Sequence, residues 1–353
     1  MNRQKYKIST ATGYGCTGSS AVNDLLKEFS NFYVCDEDSL WILQDFDAIS
    51  DLEYFLIEGN HRSKTHLAIK KFELFIKKHT LVFERIFGKK FKLTTKKYLE
   101  SITDTRFKKQ IMRQEISNFF LRFWIFKVSP QIQRVFYFIK KIFYLQKETK
   151  FVAKFPYVEK TYTIPNKKNF YKNTKIYTNE LFKSIGKNKE TKHLHFDQLL
   201  PAMNSQRYFN YLDNVKVIIV DRDPRDLYIL NEEVWKGDFA MCDTSNVHQF
   251  INWYGNIRQH RVLEKSNKNT KYINFEDLIY NYEQTINSIT KFLEIPRKYH
   301  KKRNFFFIPE NSILETKMWH KYPKYSKEMK LIEKKLSKFV VLIKIIKDNM
   351  NFI

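Results

Sequence analysis

The stretch Gly13-Tyr14-Gly15-Cys16-Thr17-Gly18-Ser19-Ser20 has the residue types and spacing of a loop that wraps a phosphate. Gly13, four residues, Gly18 and then Ser19-Ser20 match G-x-x-x-x-G-K-[ST] except at Ser19, which stands where the lysine belongs. Backbone N–H groups and hydroxyls can still surround an anion there. Without the lysine that reaches the terminal phosphates, the loop suits ATP or GTP chemistry poorly. Alone, the stretch reads equally well as an ordinary Gly/Ser-rich turn. A second cluster, Asp221-Arg222-Asp223-Pro224-Arg225-Asp226, stands far downstream. An arginine grips phosphate through a planar fork and keeps its charge at any working pH. Alone, this cluster reads more readily as a solvated charged turn in which Pro224 starts a helix.

Both clusters have the flanks that phosphate chemistry requires. Residues 5–12 are short, β-prone and free of glycine, which predicts a first strand. Val22, Leu25, Leu26 and Phe29 fall at i, i+3, i+4 and i+7, one apolar face of a helix that opens near Gly18. Strand, glycine loop and helix N-terminus together aim N–H groups and a positive dipole end at an anion. Val215-Lys-Val-Ile-Ile-Val220 predicts a strand buried on both faces. Ligands of open α/β sheets gather beyond the carboxyl ends of such strands, so Arg222 and Arg225 stand where a phosphate would lie.

Taken together the motifs resemble the PAPS-dependent sulfotransferases, which use 3′-phosphoadenosine 5′-phosphosulfate (PAPS), and specifically the bacterial carbohydrate type. Two further stretches carry the same resemblance. Tyr272-Ile-Asn-Phe-Glu276-Asp277-Leu278, with Ile286, Ile289, Phe292 and Leu293 after it, is similar to the family's strand–helix unit. Asn311-Ser312 followed by Trp319-His-Lys321 is similar to its nucleotide-closing loop. The resemblance spans roughly residues 5–40 and 195–322. It implies a P-loop α/β fold with a central parallel sheet flanked by helices, PAPS as co-substrate, no metal, and sulfuryl transfer to a carbohydrate hydroxyl. It further implies that Gly15, Cys16, Thr17, Gly18, Ser19 and Ser20 surround the 5′-phosphosulfate. Arg222, with Arg225 second, would hold the 3′-phosphate, and Trp319 and Lys321 would close over the nucleotide. The family's base is a His or a Glu just after the second strand; here that is Glu37, with His195 as second choice.

The chain departs from the family at two positions. Cys16 occupies the place where many members carry Lys or Arg against the bridging oxygen, and a neutral thiol supplies no charge there. Leu230 occupies the place of a phosphate-binding serine, which leaves Asn231 as the nearest donor.

Composition bounds the remaining readings. The 353 residues are 43% hydrophobic, enough for one large domain with insertions. Three cysteines, Cys16, Cys35 and Cys242, form no C-x-x-C and suggest a reducing compartment without structural zinc. No apolar leader and no 18-residue apolar run is apparent, so a cytoplasmic protein is expected, with the inner membrane face as an alternative location. Sixty-three Lys+Arg against 38 Asp+Glu give +25, which fits an anionic donor, an anionic glycan or an anionic lipid surface. Nucleic acid fits less well, because no binding signature is present and the basic residues are spread rather than striped.

We expect a single sulfotransferase-like domain over 1–353. Within it, 62–190 would be an insertion on the acceptor side, helical to 148 and irregular over 150–190. A closing loop would follow at 305–325 and a basic helix at 325–348. Within the insertion, Phe119–Lys127 and Val135–Tyr144 mix aromatics with Arg and Lys. That pattern suits packing on the core or an acceptor groove, which is the preferred reading, or an amphipathic helix on an anionic membrane. The expected partner is a carbohydrate or glycolipid acceptor. A P-loop kinase or NTPase, with Asp221 as its sole Walker B candidate, and a non-catalytic nucleotide- or glycan-binding relative are the alternatives.

Overall fold

The computed structural model describes residues 6–35, 41–59, 61–143, 150–185, 191–236, 244–259, 261 and 266–341. Seven strands are described, in chain order β1 (Lys7–Gly13), β2 (Phe32–Cys35), β3 (Thr105–Gln110), β4 (Tyr157–Tyr162), β5 (His193–Asp197), β6 (Val215–Asp221) and β7 (Thr270–Asn274). Five of them form one sheet in the order β2-β5-β1-β6-β7, and every neighbouring pair runs parallel. This is the expected α/β architecture of a central parallel sheet between helices.

Alternating residues of β6 feed opposite faces of the sheet. Val215, Val217 and Ile219 join a core shared with the helices of the 62–184 region. Ile218 and Val220 join a second core with Val22, Leu25 and Leu26 of the helix Ser19–Lys27 and with Ile286, Ile289 and Leu293 of the helix Tyr282–Leu293. A third cluster packs Leu227 and Ile229 against Phe250, Tyr254, Met318 and Ile332. A strand buried on both faces reads as a continuous apolar run, which is how β6 appears in the sequence.

Strand register brings the two motifs together. Gly13 at the end of β1 lies opposite Val220, and Asp221 at the end of β6 lies opposite Asn274. The loop after β1, the turn after β6 and the start of the helix Phe275–Tyr280 therefore leave the same edge of the sheet side by side. The order changes hand at β1, whose neighbours are β5 on one side and β6 on the other, which is where open α/β sheets place their ligands.

The inserted region departs from expectation in two ways, and the C-terminal segment in a third. The expected irregular stretch 150–190 contains β4, which pairs antiparallel with β3, and an 18-residue helix, Lys167–Ser184. Asn166 caps that helix by accepting from Lys168 N at 2.9 Å, and Phe170, Tyr177 and Leu181 bury one stripe of it. Its many Asn, Thr and Tyr residues have modest helix propensity, so tertiary burial decides the outcome. Second, of the expected packing on the core or an acceptor groove, the core part fails: the aromatic segments are half-buried or exposed, and none of Phe119–Ile142 is buried. Third, the expected helix over 325–348 is a helix over Ser326–Lys335 and a short turn over Ser337–Phe339. After that turn Val341 N donates to Asp223, and the remainder lies outside the described residues. No helix among the described residues is long and apolar enough to cross a membrane.

Candidate functional site

The loop between β1 and the helix Ser19–Lys27 folds around three residues in the left-handed region: Gly15 (φ 95°), Cys16 (φ 50°) and Gly18 (φ 94°). Gly18 is also the residue against which Phe275 packs, because a Cβ there would lie 2.4 Å from the phenyl ring. The helix that follows has no side-chain cap, so its first N–H groups remain available to an anion. Ser19 is half-buried and Ser20 exposed in that first turn. Thr17 has a different role from the expected phosphate donor. Its hydroxyl accepts from Tyr14 N at 3.1 Å and donates to Val220 O at 2.7 Å, which ties the loop to β6.

The turn after β6 delivers Arg222 to the same Phe275 ring. Its guanidinium lies 4.7 Å from the ring centroid and donates through Nη2 to the Glu315 carbonyl. The side chain is 2% exposed, and its Nε has no hydrogen-bond partner. An unsatisfied buried donor is costly unless something accepts from it, and an incoming phosphate oxygen is the natural acceptor. Arg222 also acts on Cys16. Burial pushes the Cys16 thiol up to about 11, and the Arg222 charge pulls it partly back. Cys16 is therefore a neutral thiol close to a cation that comes from a different element.

Arg225 is not free to grip phosphate. It forms a bidentate pair with Asp223 (Nε–Oδ1 3.0 Å, Nη2–Oδ2 2.8 Å) and stacks on Trp319 at 4.2 Å. The pair orients Trp319, which lines a cavity of about 270 Å³ together with Asp223, Asp226, Glu276 and Lys317. Asp226 accepts from the backbone N–H groups of Lys317 (2.8 Å) and Met318 (2.7 Å), which clamps the closing loop onto the helix Pro224–Ile229. Burial, then the neighbouring Asp223 charge, raises Asp226 to about 6. Glu276 accepts from Asp223 N at 2.9 Å through one oxygen, while the other has no partner; burial pushes it up to about 8.

Lys321 does not reach this cavity. It is exposed and donates to Leu314 O at 3.3 Å, so Lys317 is the lysine that lines the site. Asn231 is fully buried, and its Nδ2 donates to Thr244 while its Oδ1 has no partner. His195 is a core residue as well. Its Nδ1 meets Ser9 Oγ at 2.8 Å and its Nε2 meets Asn23 Oδ1 at 2.9 Å; burial lowers it to about 3, so it is neutral and fully used. Glu37 lies outside the described residues. Asp221, the Walker B candidate, is the buried counter-ion of Arg258 (Nη2–Oδ1 2.7 Å) and of Arg261.

Sequence reasoning quoted Asp226, Phe275 and Glu276 only as members of motifs, with no role of their own, and did not reach Arg258. Arg258 is 0% exposed and lies 4.5 Å from the Tyr14 ring and 3.3 Å from the Tyr254 ring, so it packs against the Gly13–Ser20 loop at Tyr14. Tyr254 and Arg258 are four residues apart, a helical spacing that gave no motif. Phe275 was legible only as part of the strand–helix unit. Among the described residues no group of three or more His, Cys, Asp or Glu is arranged to hold a metal ion.

No protein-family model matches the sequence, and no curated protein matches it. Among solved structures, the chain is similar to a sulfotransferase domain from the curacin biosynthetic pathway (10% identity, TM-score 0.35, 86% of this chain and 79% of that one). It is also similar to the sulfotransferase STF1 from Mycobacterium tuberculosis H37Rv (10% identity, TM-score 0.34, 85% and 72%). A third is a retinol dehydratase in complex with androsterone and the inactive cofactor PAP (12% identity, TM-score 0.31, 96% and 82%). Likeness at this level is remote, so function has to be argued from the residues of the site.

Proposed function

We propose that the protein transfers a sulfuryl group from PAPS to a hydroxyl of a carbohydrate acceptor, free or lipid-linked, within surface-glycan synthesis. The observation that carries this reading is the juxtaposition of a lysine-free phosphate loop with the buried, partly unsatisfied Arg222, both packed on Phe275. A lysine-free loop disfavours a terminal-phosphate donor. An arginine at the end of the neighbouring strand suits a nucleotide with a second phosphate. The buried pairing of Asp221 with Arg258 and Arg261 speaks against a kinase, which would need that carboxylate for its metal.

The chemistry asked of these residues is modest. The acceptor oxygen forms a bond to sulfur as the bond from sulfur to the 5′-phosphate oxygen breaks, and adenosine 3′,5′-bisphosphate leaves. Positioning and charge stabilisation supply most of the rate. The first N–H groups of the helix Ser19–Lys27 and the Ser19 and Ser20 hydroxyls would surround the phosphosulfate, and Arg222 would hold the nucleotide phosphate. Trp319, held by Arg225, would cover the base side. Glu37 is proposed to take the acceptor proton, because β2 ends two residues before it on the same edge of the sheet as the loop.

Calorimetry against adenosine 3′,5′-bisphosphate and ATP tests the donor, and the bisphosphate should bind more tightly. Turnover of labelled PAPS over a panel of glycans tests the transfer. Preference for ATP overturns the proposal.

A further inference from the structure

The longest aromatic stretch of the chain takes no part in the site described above. Phe119–Phe123, the π turn Trp124–Val128 and Ser129–Ile142 run on without interruption as one 24-residue helix, about 36 Å long at 1.5 Å per residue. Pro130 has no N–H to give to the carbonyl four residues earlier, and the π turn sits where that bond is missing. Asn118 caps the start by accepting from Leu121 N at 2.9 Å.

Among the described residues, the contacts of this helix with the segment 151–155 lie on one side of it. Gln133 exchanges two 2.8 Å hydrogen bonds with the Lys154 backbone, Tyr137 lies 5.7 Å from Phe151, and Phe126 lies 4.9 Å from Phe155. At 100° per residue, Ile132, Val135, Phe136, Ile139 and Ile142 fall on the side away from these contacts, in an arc about 120° wide. All five are exposed, Phe136 at 59% and Ile142 at 70%. The N-terminal end adds exposed Phe119, Phe120, Phe123 and Trp124. An apolar surface this extensive is uncommon on a free monomer.

Charge identifies what should cover it. Lys140 flanks the arc about 40° beyond Phe136; Arg134 and Lys141 lie on its other side beyond the exposed Phe138, Arg134 also 5.5 Å from the Phe151 ring, with Arg122 and Lys127 nearer the start. No acidic residue occurs between Glu115 and Glu148. We propose that this helix docks the protein on an anionic phospholipid bilayer, lying in the interface with the arc in the acyl boundary and the basic residues among the headgroups. Five basic residues along the helix suit lying in the interface rather than spanning the bilayer, and no described helix is apolar enough to span. The proposal is independent of the transfer reaction, because vesicle binding requires no turnover.

Flotation of the full chain with phosphatidylcholine vesicles, with and without phosphatidylglycerol, is the test. Binding should be at least about tenfold stronger on the anionic vesicles and should weaken with salt. Acyl chains brominated near the headgroup should quench the fluorescence, and the quenched component should vanish in Trp124→Phe. The Phe136→Glu/Ile139→Glu variant should lose binding about tenfold or more with an unchanged circular dichroism spectrum, since both side chains are exposed. Lys140→Glu/Lys141→Glu should lose selectivity for anionic lipid. Equal binding to neutral and anionic vesicles, or none, overturns the proposal. So does sedimentation showing a wild-type dimer that Phe136→Glu/Ile139→Glu converts to monomer, because the face would then be covered by a second copy.

Discussion

Truncation of Arg222 to alanine should separate nucleotide recognition from folding. Without ligand, the guanidinium meets the Glu315 carbonyl, the half-exposed Glu315 carboxylate at 3.7 Å and the Phe275 ring at 4.7 Å, and its Nε has no hydrogen-bond partner. A desolvated cation–π contact is worth roughly 1–2 kcal/mol, and the lost hydrogen bond about another 1 kcal/mol. The unliganded Arg222→Ala protein should therefore unfold about 2–3 kcal/mol more easily in urea. A phosphate oxygen accepting from Nε adds a charge-assisted bond to a group that is already buried, worth roughly 1.5–3 kcal/mol. Affinity for adenosine 3′,5′-bisphosphate should fall about 10- to 150-fold. Arg222→Lys keeps the charge without the fork and should fall between the two proteins in affinity. Titration calorimetry at fixed salt reads the affinity, and urea denaturation without ligand reads the stability. If Arg222→Ala is folded and binds the bisphosphate within about twofold of wild type, the orphan Nε is not the phosphate donor and the site is wrongly assigned.

Three further outcomes follow from the same geometry. Burial raises Glu276 from its ordinary range to about 8, so its contribution to stability is complete below pH ~4.5 and is lost as pH rises through about 8, by roughly 3–5 kcal/mol; Glu276→Gln should stabilise the protein at pH 8.5 relative to wild type and change it little at pH 5, measured as denaturation midpoints. Gly18→Ala combines a left-handed φ of 94° with a Cβ 2.4 Å from Phe275, and should cost about 2–4 kcal/mol, part of which Phe275→Leu should restore in a double-mutant cycle. Asp221→Asn strips the counter-charge from Arg258, which is fully buried, and should cost about 3–5 kcal/mol by thermal or urea unfolding; a near-neutral effect would mean that Asp221 is not the structural partner of Arg258.

What could be read in advance was whatever the backbone imposes locally. β1, the glycine loop and β6 were legible because glycines at fixed spacing and an uninterrupted β-branched run each have few structural solutions. Roles set by partners distant in sequence were not legible. Thr17 looks like a phosphate hydroxyl until Val220 O claims it, and His195 looks like a base until Ser9 and Asn23 occupy both ring nitrogens. Arg225 and Asn231 likewise carry suitable donors that Asp223 and Thr244 have already engaged. The helix Lys167–Ser184 was hidden by polar composition. The helix over 119–142 was visible as amphipathic, but which of its faces would be covered depends on segment 151–155.

The unresolved feature of the sequence was the absence of a cation at Cys16, and the structure relocates that question. Cys16 packs as a small, half-buried neutral thiol against the cluster around Leu227 and Met318. The charge it feels comes instead from Arg222, on the neighbouring strand's turn. Arg222 is positioned by the same Phe275 ring that packs against Gly18. Loop shape and cation position are thus coupled through one aromatic side chain, whereas a cation carried on the loop itself would move with it. A change at Phe275 should accordingly disturb both at once, while a lysine placed at Cys16 would add a second charge beside Arg222.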